Sequence, residues 1–206
     1  MNGAAILCLN GEPPSLEWIE PLWNAAPTRL AADGAINWLE PLGLVPDLVI
    51  GDLDSQDSAR LPQVQRLRLE DQNDTDADKA LSYLREKGLR QVLIFGGLGG
   101  RADMSLYNLF LFLRHPDLSL EFRQGSERIF LAPRRFTLKA RPGSRLSLLP
   151  LGGLVSGLDL EGVKWRLKDA TLDPTGVLSA SNQVSQPEVR LRYRSGHLLV
   201  FLDESP

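Results

Sequence analysis

The feature of this sequence that most restricts its fold is a change of pattern near residue 123. Before that point, short apolar runs such as residues 4–9 alternate with segments of helical spacing such as residues 74–87. After it, the apolar runs are short, and Gly, Pro or Ser separate them. Alternating strands and helices predict a mostly parallel sheet covered on both faces, and regularly spaced short strands predict an antiparallel sandwich or barrel.

We therefore predict an α/β protein with two domains. The first, residues 1–123, has a mostly parallel sheet with flanking helices, and the second, residues 127–206, is an antiparallel β-sandwich. The strands expected in the first domain are 4–9, 29–31, 47–50 and 91–95, and the expected helices are 15–23, 74–87 and 103–113. The strands expected in the second domain are 128–131, 136–139, 145–149, 189–193 and 198–202.

Composition narrows the function classes. A net charge of −3 over 206 residues gives no electrostatic reason to expect a nucleic-acid partner. The longest apolar runs are far shorter than the roughly 20 residues of a membrane span, so no membrane association is expected. The single cysteine, Cys8, cannot form an intrachain disulfide, and the N-terminus has no basic segment typical of a secretion signal. These features predict a cytoplasmic location.

An acidic segment follows one predicted strand. Between Asp52 and Asp78 there are eight acidic residues and three basic ones. Asp52 and Asp54 come directly after the strand that ends at Ile50, where an open α/β sheet binds its ligands. Two carboxylates at this position can turn toward one hard cation such as Mg²⁺. The alternative is a turn whose aspartates cap backbone amides.

Two further segments have the character of a phosphate site. Asp76 lies in the first turn of a predicted helix, with Lys79 three residues later on the same face. The glycine-rich run 96–100 lies between a strand and a helix, and Arg101 follows it. Glycines let backbone N–H groups approach phosphate oxygens, and arginine can bind phosphate through two hydrogen bonds. The alternative for the first segment is a capping cluster with an ordinary surface ion pair, and the alternative for the second is a flexible connector. Together with the acids, the two segments predict a Mg-nucleotide site.

Four sequence elements, in this order, resemble the thiamine pyrophosphokinase family. They are Ala32-Asp33-Gly34-Ala35-Ile36-Asn37, Gly51-Asp52-Leu53-Asp54-Ser55, Asp71 with Thr75-Asp76 and Lys79, and Gly96-Gly97-Leu98-Gly99-Gly100-Arg101-Ala102-Asp103. In the C-terminal half, residues 163–167 and 179–182 look like the Lys-Trp-x-Leu and Ser-Asn segments of the family. The resemblance spans nearly the whole chain.

The resemblance implies an ATP-dependent diphosphokinase. Such an enzyme transfers the terminal pyrophosphate of ATP to the hydroxyethyl group of thiamine, giving thiamine diphosphate and AMP. It also implies Mg²⁺ as cofactor, ATP as co-substrate and a homodimer with active sites at the subunit interface. The first domain would bind ATP and Mg²⁺, and the second would bind thiamine.

The same resemblance assigns roles to individual residues. The metal ligands would be Asp52, Asp54 and Asp76. The residues expected at ATP and its phosphates are Asp33, Lys79, Gly97, Gly99, Gly100 and Arg101. The catalytic residues would be Asp71, Asp76 and Asp103. Asp71 or Asp76 would accept the alcohol proton, and Asp103 would support the site. Thiamine would stack on Trp165, with Ser181 and Asn182 lining its pocket; packing in the sheet is the alternative for Trp165.

The sequence departs from the family pattern at three positions. Ala35 replaces a glycine, Asn73 stands where some members have Asp, and Met104 stands where many have His. Ala35 and Met104 support one alternative, a homologue that binds thiamine without turnover. A second alternative is a diphosphokinase for another alcohol such as a hydroxymethylpterin, which would share the ATP half and differ in the acceptor pocket. A glycosyltransferase that uses Asp52 and Asp54 for its metal is a third alternative, but it leaves the other motifs unexplained. His115 and His197 lie outside the motifs and are interpreted as surface or packing residues.

Overall fold

A computed structural model describes residues 3–54, 60–69 and 73–205 of the chain. The chain divides into two compact units, Met1–Gly125 and Ser126–Pro206. None of the described helices is long and apolar enough to cross a membrane.

The first unit is built on parallel strands. Within its described residues, the strands are β1 (Ala5–Cys8), β2 (Arg29–Ala32), β3 (Leu48–Gly51), β4 (Gln65–Arg68), β5 (Gln91–Phe95) and β6 (Ser119–Gln124). They pair in the order β6-β5-β1-β2-β3-β4, and every pair is parallel. All four residues of β1 and of β3 are buried, as expected for central strands with helices on both faces.

Helices follow the strands. They are α1 (Leu16–Ala25), α2 (Ile36–Leu39), α3 (Asp76–Glu86) and α4 (Ala102–Arg114), with short 3₁₀ turns at Asp33–Ala35 and Glu40–Leu42. Helix α3 begins where the polar pair Asp74-Thr75 predicted, because Thr75 and Asp78 form a capping box. Its apolar face, which includes Ala80, Leu81 and Leu84, is buried.

The second unit is an antiparallel sandwich. Its strands are β7 (Glu127–Leu131), β8 (Arg135–Lys139), β9 (Arg145–Pro150), β10 (Val155–Glu161), β11 (Leu167–Leu172), β12 (Ser179–Gln183), β13 (Glu188–Arg192) and β14 (Leu198–Asp203). One sheet has the order β12-β9-β14-β7 and the other β11-β10-β13-β8. Side chains from both sheets, such as Leu148 and Val200 from one and Leu158 and Leu191 from the other, share one buried core.

The predicted fold class is confirmed: a mostly parallel sheet with helices is followed by an antiparallel sandwich. The sequence did not predict strands β4, β6, β10, β11 and β12. Strand β4 reads Gln-Arg-Leu-Arg, and none of its residues is buried, so it lacks the apolar run by which strands were recognised. Strand β11 is likewise polar, with only Leu172 buried.

Candidate active site

A cavity of about 490 Å³ lies at the carboxyl ends of the parallel strands in the first unit. Its walls come from the segments after β1, β2, β3 and β5 and from the first turns of α3 and α4. The strand order reverses between β1 and β5, because the chain runs from β1 toward β4 on one side and adds β5 and β6 on the other. Open α/β sheets bind ligands at such a reversal.

Three carboxylates meet in this cavity. Asp33, Asp52 and Asp76 each place an oxygen within 4.8 Å of the others. Asp33 follows β2, Asp52 follows β3, and Asp76 is the first residue of α3, so the parallel arrangement delivers all three to the same edge of the sheet. Three acids at this separation repel one another, and a cation bound among them would relieve that repulsion.

Gly51, the last residue of β3, allows this convergence. A Cβ atom at this position would lie 2.8 Å from Asp33 Cβ, closer than real Cβ atoms approach other atoms, and 3.0 Å from Asp76 Cγ, which is a very tight contact. The glycine therefore leaves the space into which the two acidic side chains fit. Carboxylate oxygens are the donors that Mg²⁺ prefers, so the residues present fit this ion.

A lysine lies beside the carboxylates. Lys79 Nζ is 3.1 Å from Asp76 Oδ1, and Lys79 is only 8% exposed. The pair is one helical turn apart on α3, as predicted, and it lines the cavity. A buried ammonium group here can bind the anionic oxygens of a phosphate.

The predicted acidic residues do not all join this cluster. Asp54 lines the cavity, and its backbone N–H donates to Asp52 Oδ1 at 3.3 Å, but the three-carboxylate cluster contains Asp33 in its place. Asp33 had been expected on the nucleotide side of the site. Asp71 lies outside the described residues.

The glycine loop after β5 forms the opposite wall. Gly97 and Gly99 line the cavity, and Gly99 and Gly100 have φ values of 77° and 66°, which favour glycine. Two polar side chains of α4, which line the cavity as well, bind this loop: Ser105 Oγ donates to the Gly99 carbonyl at 3.2 Å, and Asn108 Nδ2 donates to the Gly97 carbonyl at 2.7 Å.

This attachment sets the direction of the loop amides. In a trans peptide the carbonyl and the following N–H point in opposite directions. Because the Gly97 and Gly99 carbonyls face α4, the N–H groups of Leu98 and Gly100 point away from that helix. The sequence reasoning missed Ser105 and Asn108; their signal is the spacing of three residues on a helix that directly follows the glycines.

Arg101 also lines the cavity, and Asp103 holds the guanidinium group of Arg101 by hydrogen bonds. The guanidinium donates to both Asp103 oxygens, with Nε–Oδ1 3.1 Å and Nη2–Oδ2 2.6 Å. The hydrogen bond from Arg101 is the main cause of a lowered pKa at Asp103, and the Met104 backbone N–H contributes. Asp103 thus orients an arginine at the mouth of the cavity. Met104, at the family histidine position, lines the cavity as well.

In the second unit, Trp165 lies between β10 and β11 with 55% of its surface exposed, so it does not pack in the sheet core. Asn182 holds its backbone: Oδ1 accepts from Trp165 N–H at 3.2 Å, and Nδ2 donates to the Trp165 carbonyl at 2.8 Å. Lys164 places its ammonium 4.5 Å from the centroid of the Trp165 ring. Ser181 has a φ of 56°, and its N–H donates to Ser147 Oγ at 2.9 Å.

The fold and the cavity define an α/β protein of two units, whose first unit has a ligand site lined by acidic residues and glycines. Two family models match the sequence: "Thiamin pyrophosphokinase, catalytic domain" over residues 19–122, and "Thiamin pyrophosphokinase, vitamin B1 binding domain" over residues 135–198. The chain belongs to the thiamin pyrophosphokinase family, which confirms the family expected from its motifs.

Curated relatives with the same family name match most of the chain, and solved structures share its fold. Thiamine pyrophosphokinase 2 of Arabidopsis thaliana is 28% identical, over 88% of this chain and 79% of the relative. Thiamin pyrophosphokinase 1 of Caenorhabditis elegans is 27% identical, over 94% and 88%. The crystal structure of thiamine pyrophosphokinase from Bacillus subtilis has a TM-score of 0.83 at 21% identity, with 98% of this chain and 100% of that chain covered. The crystal structure of the yeast enzyme has a TM-score of 0.82 at 18% identity, with 98% and 86% covered.

Proposed function

We propose that this protein is a thiamine diphosphokinase. It transfers the terminal pyrophosphate of ATP to the hydroxyethyl group of thiamine, giving thiamine diphosphate and AMP. The family match over both parts of the chain supports this proposal, and the observation that carries it is the three-carboxylate cluster opposite a glycine loop.

In the reaction, the thiamine hydroxyl oxygen forms a bond to the β-phosphorus of ATP. The bond between that phosphorus and the oxygen bridging to the α-phosphate breaks, and AMP leaves with the oxygen. The hydroxyl proton passes to a carboxylate, for which Asp76 and Asp71 are the candidates. Such transfers depend mainly on positioning and on neutralising phosphate charge.

Each side of the cavity contributes to that neutralisation. Asp52 and Asp76, with Asp33 and with Asp54 close by, would hold Mg²⁺, which when bound screens the phosphate oxygens. The remaining contacts to the nucleotide come from Lys79, Arg101 and the backbone of Gly97, Gly99 and Gly100. Asp103 supports the site by orienting Arg101.

The second domain, residues 127–206, would bind thiamine. The exposed face of Trp165 suits the cationic thiazolium ring through cation–π attraction, and Asn182 holds the Trp165 backbone in place. Ser181 would line the same pocket. Lys164 already lies over the indole, so we place the thiazolium on the ring face that Lys164 leaves open.

A homodimer and a cytoplasmic location are also proposed. Leu106 and Phe110 are exposed one turn apart on α4, and Val177 and Leu178 are exposed in the second unit. Exposed apolar groups at such spacing favour an interface between copies of the chain. The single buried thiol of Cys8 fits a reducing compartment.

The test is to incubate the protein with Mg-ATP and thiamine and to quantify nucleotides and thiamine esters by chromatography. We expect AMP and thiamine diphosphate in equal amounts. Even groups that only support a metal ligand contribute about 10–100-fold, so Asp52→Asn should lose more than about 100-fold in turnover. Asp117→Asn is the matched control, because Asp117 pairs with Arg90 on the surface.

Two results would contradict the proposal. One is formation of ADP with thiamine monophosphate. The other is a product with a hydroxymethylpterin but none with thiamine, which would support the alternative acceptor that the family match does not favour.

A further inference from the structure

The first turn of α3 contains a buried carboxylate. Asp78 is 1% exposed, and its oxygens accept hydrogen bonds from Thr75 Oγ1 at 2.7 Å, the Tyr107 hydroxyl at 3.2 Å and Arg114 Nε at 2.9 Å. His115 Nε2 lies 2.9 Å from the same carboxylate. A buried charge with this many partners is held in one orientation.

Three of these partners come from α4 and the residue that follows it. Tyr107 and Arg114 lie on α4, and His115 follows its last residue; we call these three residues the α4 clamp. Arg114 also donates to Asp74 Oδ1 at 3.0 Å, and its guanidinium lies 5.5 Å from the Tyr107 ring centroid. The clamp therefore binds the start of α3 through two acidic residues, Asp74 and Asp78.

Asp78 has almost no contact with water, and the donors of Thr75, Tyr107 and Arg114 take the place of solvent around its oxygens. A carboxylate removed from water is costly in free energy unless its partners compensate, so loss of a clamp donor should destabilise the start of α3.

Asp76 and Lys79, which flank Asp78 on α3, line the cavity. Asp76 belongs to the carboxylate cluster, and Lys79 lies against it. Capping α3 requires only Thr75 and Asp78, whereas the three clamp residues add contacts from a separate helix. The same helix holds the glycine loop through Ser105 and Asn108, so α4 supports both walls of the cavity.

We propose that the α4 clamp is a positioning device for the metal and phosphate site, acting through Asp78 on Asp76 and Lys79. This inference rests on the proposed function, in which a divalent ion and ATP bind in the cavity. The clamp touches neither; it sets where Asp76 and Lys79 lie when they bind them.

The test compares two variants with two matched controls. Asp78→Asn removes the buried charge, and Arg114→Gln removes one clamp donor that is 42% exposed. Asp117→Asn and Arg90→Gln make the same changes in a surface ion pair of 2.7 Å. Binding of Mn²⁺, a paramagnetic probe of the divalent-ion site, is measured by electron paramagnetic resonance with α,β-methylene ATP, whose bridging carbon prevents transfer. Thermal unfolding is recorded in parallel.

We expect Asp78→Asn to weaken Mn²⁺ binding by about 10–100-fold, as is typical for groups that orient metal ligands. Arg114→Gln should weaken it in the same direction by less, and the controls should match the parent. Thiamine affinity should not change in any of these variants.

A merely structural role predicts another pattern. If Asp78→Asn lowers the unfolding temperature but binds Mn²⁺ and the ATP analogue like the parent, the clamp inference is wrong. If Asp78→Asn does not fold, parent-like binding by Arg114→Gln overturns the inference in the same way. If the parent itself binds neither Mn²⁺ nor the analogue, the proposed function fails, and the inference fails with it.

Discussion

Replacing Gly51 by alanine tests whether the three carboxylates act together. The added Cβ would lie 2.8 Å from Asp33 Cβ, about 0.6 Å inside the 3.4 Å at which ordinary contact begins, and 3.0 Å from Asp76 Cγ. Asp33 is 2% exposed, and its carboxylate already lies in the cluster with Asp52 and Asp76. The acidic side chains must therefore separate.

The size of that displacement sets the expected effect. Functional groups must be held to about 0.5 Å, and a displacement of 1 Å can cost about 100-fold in rate. We expect kcat/KM of Gly51→Ala to fall roughly 100-fold, equivalent to about 2.7 kcal/mol, and the half-saturating Mg²⁺ concentration to rise. Overpacking should also cost about 1–3 kcal/mol of unfolding free energy.

The control is Gly43→Ala, which separates backbone strain from crowding of the site. Gly43 has a φ of 70°, and an added Cβ meets no atom within 4 Å. This variant should lose about 1–2 kcal/mol of stability while its Mg²⁺ requirement stays that of the parent. Steady-state kinetics over a Mg²⁺ titration and urea unfolding provide both quantities. A Gly51→Ala enzyme with parental kcat/KM and Mg²⁺ requirement would refute the view that these carboxylates share one ion.

Two further substitutions test the walls of the proposed substrate sites. Trp165→Ala should raise the KM for thiamine about tenfold with little effect on the KM for ATP, because it removes a cation–π contact of about 1–2 kcal/mol. Trp165→Phe should have an intermediate KM for thiamine. Equal kinetics for Trp165→Ala and the parent would count against stacking. Asn108→Asp removes the donor to the Gly97 carbonyl. It should weaken ATP binding about tenfold and leave AMP binding unchanged, because the glycine loop would hold the β- and γ-phosphates, which AMP lacks. The exposed Asn24→Asp is its control, and equal losses for ATP and AMP would contradict a role of the loop in phosphate binding.

Local sequence signals were sufficient for much of the fold. The alternation of apolar runs and helical segments predicted the parallel sheet, because strand and helix periodicity are properties of neighbouring residues. The pair Asp74-Thr75 predicted the start of α3 for the same reason: a capping box involves residues only three apart. Strand β4 was not predicted, because it has no apolar run of its own and is defined by its pairing with β3.

The candidate site was predictable only in part. The motifs placed Asp52, Asp76, Lys79 and the glycine loop in one cavity, since each follows a strand or begins a helix at the same sheet edge. Three assignments stay predictions: Asp54 as a metal ligand, Asp71 as a catalytic residue and Trp165 as a thiamine contact.

The sequence by itself determined which residue types end each strand and begin each helix, and hence the family and the kind of chemistry. Only the tertiary structure decided which of the acids meet: Asp33 joins Asp52 because β2 and β3 are neighbours in the sheet. It also brought His115 to Asp78 across 37 residues of sequence and Asn108 to the glycine loop. Such contacts depend on how strands are ordered and helices packed, and no local pattern of residues encodes those distances.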